Sequence, residues 1–209
     1  MPLVTFGEDA TTVARPVRYD RVSIGFHWMT SLLLIAMFGS AWALRGAEDA
    51  GSAARLLALH RSTGVLIWLV TLSRLGWRLL VTLPPALPAT VGTAQRIAAK
   101  ANQAALYALL LLQPITGFLQ SVWRGKPFQL FGVLFPAVAP RNKPLTHLFE
   151  NVHETCAILL LALIGFHALA ALFHGFIRRD GVLETMLPKR RSKTIASRSR
   201  ATSTSPGGE

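Results

Sequence analysis

The chain has 209 residues, 51% of them hydrophobic and only 15% charged, and carries a formal net charge of +12. Its apolar residues collect into four long runs, which excludes an evenly patterned soluble domain. The basic residues crowd the run ends and the C-terminal tail, a placement that orients a membrane protein and argues against nucleic acid as the partner.

Residues 1–17 read as a flexible N-terminal segment ahead of a domain spanning 18–188. The predicted spans cover about 22–44, 56–81, 103–122 and 152–177. At about 1.5 Å of rise per residue, each is long enough to cross a hydrocarbon core of roughly 30 Å. The expected fold class is therefore all-α, an integral membrane four-helix bundle surrounded by lipid. The first run is too long for a signal-peptide core and no small-residue cleavage site follows it, so it reads as a retained span.

Four spans put both termini on one side. An N-in, C-in arrangement places 15 of the 22 Lys and Arg residues inside and seven outside, namely Arg45, Arg55, Arg61, Arg124, Lys126, Arg141 and Lys143. Between spans two and three, Pro84, Pro85 and Pro88 precede a short amphipathic stretch, AQRIAAKAN, that leads into the third span. The loop 123–151 carries Pro127, Pro136, Pro140 and Pro144 and is expected to lie over the outer face. After Pro188 the tail, 189–209, is basic and then rich in Ser, Thr and Gly; it reads as disordered and suited to anionic lipid.

Histidines stand at 27, 60, 147, 153, 167 and 174. An ionisable side chain inside a membrane is costly unless something satisfies it, so each histidine within a span is a functional candidate; for a lone case, an interhelical hydrogen bond explains it equally well. Here depth discriminates. Fourteen residues make nearly four helical turns, so His153 and His167 share a face to within roughly 40°, about 21 Å apart along the axis. His60 matches His153 in depth near the outer side. On the inner side, depth fits His27 to His167 and to His174 about equally.

Two neutral imidazoles facing each other across a bundle suit the two axial positions of an iron porphyrin. A closed zinc site wants four ligands close together, which two levels about 21 Å apart do not provide. No C-x-x-C-H site for covalent haem attachment is present, and the single cysteine, Cys156, reads as a small packing residue that cannot form an intramolecular disulfide. Two such haems, both with protein at each axial position, would make an electron path.

The stretches RYDRVSIGFHWM, LHRSTGVLIWLVTLSRLGWRL, LLLQPITGF and NVHETCAILLLALIGFHALAALFHGFIRRDGVLETMLP resemble the bacterial cytochrome b561 family over about residues 18 to 188. The resemblance implies that His27, His60, His153 and His167 bind two haem b groups, which resolves the tie in favour of His167. Gly175 departs from the pattern, since many members carry a second histidine there. The family implies a multi-pass cytochrome of the bacterial inner membrane that exchanges electrons with a quinone, ubiquinone in the characterised case. One member type oxidises superoxide at the periplasmic face.

Among supporting residues, Arg74 lies fourteen residues after His60 and has the depth to meet an inner haem propionate, while Arg61 has the depth to meet an outer one; snorkelling at a span end explains Arg74 equally well. Gly64 and Gly117 would let a flat ring approach, or serve close helix packing. Arg124 and Lys126, within WRGKPF, suit a quinone or anion site and equally suit interfacial anchoring. Glu154 is a candidate proton acceptor, and Gln113, Pro114 and Thr116 read as a kink. Two other functions remain open: a cytochrome b subunit of a multi-subunit dehydrogenase or hydrogenase, and a metal or proton transporter. The second lacks the buried mid-span carboxylates that transporters pair with histidine.

Overall fold

The structure is a computed structural model and describes residues 18–81 and 91–188. The expected flexible segment 1–17, the prolines at 84, 85 and 88 and the tail 189–209 lie outside the described residues.

Four helices make the fold: α1 Arg21–Arg45, α2 Ala50–Leu80, α3 Thr93–Trp123 and α4 Lys143–Leu172. Their starts are fixed by capping side chains that accept otherwise unpaired N–H groups. Asp20 accepts from Val22 and Ser23, Asp49 from Ser52, and Asn142 from Leu145. Such a cap contributes about 1 kcal/mol. Asp20 also receives the Trp77 indole N–H at 3.2 Å, so the start of α1 is tied to the last turns of α2. AQRIAAKAN is continuous with the third span as the first turns of α3. At 31 residues α2 and α3 are each about 46 Å long, more than a bilayer core needs, so their ends project or tilt.

The helices pack in the order α1–α2–α3–α4, and every one of the four is long and apolar enough to cross a membrane. The core between them is small: Ile67, Leu110 and Leu160, flanked by Leu34, Met37 and Phe38. Buried polar residues are as prominent as apolar ones, with Thr30, Ser40, Thr63, Thr71, Asn102, Thr116 and Ser121 inside, while Ile35, Leu66 and Leu169 point outward. That inversion is the mark of a bundle in lipid, where apolar surface has no reason to turn inward. Several of these hydroxyls bond back to their own helix, as Thr30 does to the Phe26 carbonyl at 2.7 Å and Ser121 to Gly117 at 3.0 Å, while the Thr71 hydroxyl is buried without a partner among the described residues.

Two elements go beyond the expected helices. The 123–151 connection holds a two-stranded antiparallel hairpin, β1 Phe128–Leu130 with β2 Val133–Phe135. Its two-residue turn, Phe131 and Gly132, has positive φ at both positions (49° and 80°), the geometry that matches strand twist. The Phe131 N–H donates to Ser62 Oγ at 2.8 Å, and buried Phe128 stacks on Phe135, which pins the hairpin against α2. Gly125, at φ 63°, closes the neck of this excursion: a Cβ there would lie 2.5 Å from the Arg141 nitrogen.

At the opposite end α4 runs on as a π-helical turn, Phe173–Arg178, and the chain folds back through a short 3-10 turn, Leu183–Met186. This return turn meets α1 through Tyr19 N–H to the Thr185 carbonyl and Trp28 Nε1 to the Met186 carbonyl, at 3.3 and 2.9 Å. Gly175 has a packing reason here, because a Cβ would collide with the Leu183 side chain.

Candidate functional site

The four-turn spacing on α4 presents His153 and His167 along one side of the helix, and a different helix meets each. His60 of α2 faces His153 with ring centroids 6.3 Å apart. His27 of α1 faces His167 with centroids 6.2 Å apart. A metal–imidazole bond of about 2 Å, plus about 1.2 Å from nitrogen to ring centre, separates two coaxial ligands by roughly 6.4 Å, so both pairs have the spacing that a shared iron requires. Among the described residues no three His, Cys, Asp or Glu side chains converge on one point. Each pair therefore offers two nitrogens, the number that haem takes and fewer than a closed zinc site needs.

The pair nearer the hairpin lines a cavity of about 1280 Å³. That exceeds the roughly 300–1,000 Å³ of an ordinary ligand pocket and suits a macrocycle. Gly64 and Gly117 belong to its wall, and a Cβ at Gly117 would stand 3.0 Å from His153 Cε1, so the bare backbone there is what admits the ring. Polar groups of the bundle hold both imidazoles by Nδ1. His60 Nδ1 is 3.1 Å from Ser40 Oγ; His153 Nδ1 is 3.0 Å from Thr116 Oγ1 and 3.1 Å from the Gln113 carbonyl. The Gln113 amide also donates to the His153 carbonyl at 2.9 Å, which ties α3 to α4 at this level.

The other pair is more open, with His27 half-buried and His167 exposed on the flank of the bundle. Arg74 stands beside it: Nη2 is 3.5 Å from His27 Nδ1, and the guanidinium lies 5.6 Å from the Tyr107 ring centroid. His174, equal to His167 in depth from the sequence alone, has a partner of its own. Its Nδ1 is 2.6 Å from Asp180 Oδ2, with Arg178 Nε at 3.9 Å from the same oxygen. Burial would raise the Asp180 carboxyl, but the His174 hydrogen bond, the Val182 N–H and the nearby Arg178 guanidinium carry it below its ordinary value.

The remaining candidates separate clearly. Arg61 lines the cavity, donates through Nε to Ser121 Oγ at 3.1 Å and lies over Phe128 at 5.7 Å. Arg124 also lines it and pairs with Glu150 at 3.5 Å, whereas Lys126 is exposed and is not part of the wall. Glu154 pairs with Arg45 at 3.2 Å on the cavity rim. His147 sits in the first turns of α4, exposed, 3.6 Å from Glu150. Sequence reasoning missed Ser40, which looks like any small span residue, and read Gln113 and Thr116 only as a kink. The signal available for the latter was a carbonyl and a hydroxyl one turn apart beside Pro114, at the depth of His153.

Known proteins resemble the chain over most of its length. The family described as "Prokaryotic cytochrome b561" matches residues 18–189. "Cytochrome b561 homolog 1" of Escherichia coli (strain K12) is 34% identical over 177 residues, covering 83% of this chain and 99% of that protein. "Cytochrome b561 homolog 2" of the same organism is 32% identical over 176 residues, 83% and 93% of the two chains. "Probable superoxide oxidase CybB" of Yersinia pestis is 30% identical over 178 residues, 83% and 98% of the two chains.

Proposed function

The chain belongs to the prokaryotic cytochrome b561 family, a b-type haem protein of electron transfer in a bacterial membrane, and from that premise we propose that it is a di-haem relay between a periplasmic-side donor and the quinone pool. The observation that carries the reading is the pair of histidine couples at 6.3 and 6.2 Å, one at each level of a single helix face. His60 and His153 would hold one haem b, and His27 and His167 would hold the other. Haem b, when bound, would supply a one-electron iron couple, and the two imidazoles of each pair would hold it.

What the chain itself contributes follows from its layout. Ile67, Leu110 and Leu160 form the buried apolar contact of the bundle and also line the hairpin-side cavity, an apolar setting that disfavours ions and suits the passage of electrons. On the cavity wall Arg124 and Arg45 are offset by Glu150 and Glu154, while Arg61 donates to the neutral Ser121 and leaves the hairpin-side pair a net positive charge, which favours an anionic donor. Superoxide fits that description: it gives up one electron and leaves as dioxygen. Two such electrons with two protons convert ubiquinone to ubiquinol. The 15-to-7 distribution of basic residues supports an N-in, C-in chain in the inner membrane, with the hairpin on the periplasmic side. Arg74 is placed to meet a propionate of the terminal-side haem.

The test is an absorption spectrum of the purified chain before and after dithionite, with extracted haem counted per chain. A reduced b-type band and two haems are expected. H60A and H27A should each leave one haem, and H174A should leave both. Absence of the band, or loss of a haem from H174A alone, sinks the assignment. Stopped-flow mixing with superoxide in the presence of ubiquinone then checks the donor by the rate at which the haem band reduces.

A further inference from the structure

We infer that Ser40 and Thr116, together with the Gln113 carbonyl, fix the proton of both hairpin-side imidazoles on Nδ1 and thereby set the reduction potential of the haem held there. The inference rests on the haem reading above and names positioning residues, since none of the three meets the iron.

A serine hydroxyl has one proton to give. Ser40 Oγ lies 2.8 Å from the Met37 carbonyl, which can only accept, so the hydroxyl proton is committed to that oxygen. What remains for His60, at 3.1 Å, is an Oγ lone pair; the ring must therefore donate its Nδ1–H. The same logic holds across the cavity. Thr116 commits its proton to the Gln113 carbonyl at 2.8 Å and offers His153 only a lone pair at 3.0 Å. That carbonyl itself stands 3.1 Å from His153 Nδ1 and demands a donor as well. With Nδ1 protonated in both neutral rings, both Nε2 lone pairs are free for a metal. Ser40 and Thr116 are themselves buried, at 5% and 3% exposure, so water cannot readily replace them.

The terminal-side pair is built on the opposite principle. Arg74 is a donor only, and a donor beside His27 Nδ1 favours the other tautomer, the one that blocks Nε2. For His27 to ligate, the guanidinium must turn away. The two haems therefore sit in unlike surroundings. The hairpin-side ligands donate to neutral oxygens, which makes them more basic and favours ferric iron, while a cation adjoins the other pair.

Redox titration of the holoprotein, with low-spin EPR, tests this. S40A should raise the midpoint of one haem by roughly tenfold in the one-electron equilibrium, about 59 mV, and leave the other unmoved. T116V should shift the same haem in the same direction, and T116S should restore it. S40A with both haems retained, and with midpoint and g-values unmoved, overturns the inference. If S40A loses the haem, T116V decides: a shift reversed by T116S supports the inference, and no shift overturns it. H60A separates this from the haem assignment. If H60A loses one haem while S40A is silent, only the inference fails; if H60A keeps two, the underlying reading fails with it.

Discussion

Arg74 keeps a permanent positive charge beside His27, 3.5 Å from its Nδ1 in this structure and, on the reading above, turned towards a propionate when haem is held. A fixed cation disfavours the ferric state of a haem held there, so R74L should lower the terminal-side midpoint, by tens of mV if the effect approaches a tenfold equilibrium change of about 59 mV. Redox titration checks it, and an upward shift or none would count against haem at that pair. Gly117 makes the complementary point by bulk. A Cβ only 3.0 Å from His153 Cε1 forces the ring to give way, so G117V should cost the hairpin-side haem, leaving one per chain on extraction. These residues also show where sequence reading stops. The histidines were legible because an imidazole in an apolar run is conspicuous, whereas Ser40 and Thr116 differ from ordinary helix-packing hydroxyls only in which atom of another helix they meet.

At the scale of elements, α4 acts as a two-position holder, since it contributes one histidine to each pair. Inserting one alanine after Leu160 turns everything beyond it by about 100° relative to His153. One haem should be lost while the other stays, which haem extraction reads directly. The spacing HETCAILLLALIGFH made this legible in advance, because helical periodicity is local. The hairpin was not legible: FQLFGVLF is too short and too apolar to separate from loop, and its register depends on Ser62, sixty-nine residues away from Phe131. The return turn after α4 was equally hidden, because its contacts with Tyr19 and Trp28 are long-range. Asp180 is held below its ordinary pKa in the fold, so it contributes stability above its unfolded value of about 4 and loses it as pH falls through the lowered folded value. Pepsin should accordingly cut near Leu183 more readily as the pH is brought down from 4 towards 2. D180N should be cut readily across that whole range.

For the whole molecule, an interior of threonines and serines within an apolar exterior tells which solvent the chain was selected for, and the runs of apolar residues disclosed that much from the start. The sequence disclosed the extension of α3 through the amphipathic AQRIAAKAN, but not that of α2, which begins at Ala50 rather than near residue 56. Orientation is testable at this scale. In intact cells V138C, on the exposed stretch after the hairpin, should react with a membrane-impermeant maleimide, while buried Cys156 stays silent; protection of V138C would reverse the proposed topology. A consequence for biogenesis follows from α4 being the last of the described long helices to leave the ribosome. On the proposed assignment each haem takes one ligand from that helix, so neither site could close until α4 has been threaded into the bilayer. Translation products that stop early would lie in the membrane without a redox centre, unable to leak electrons, and maturation would turn on the arrival of one segment.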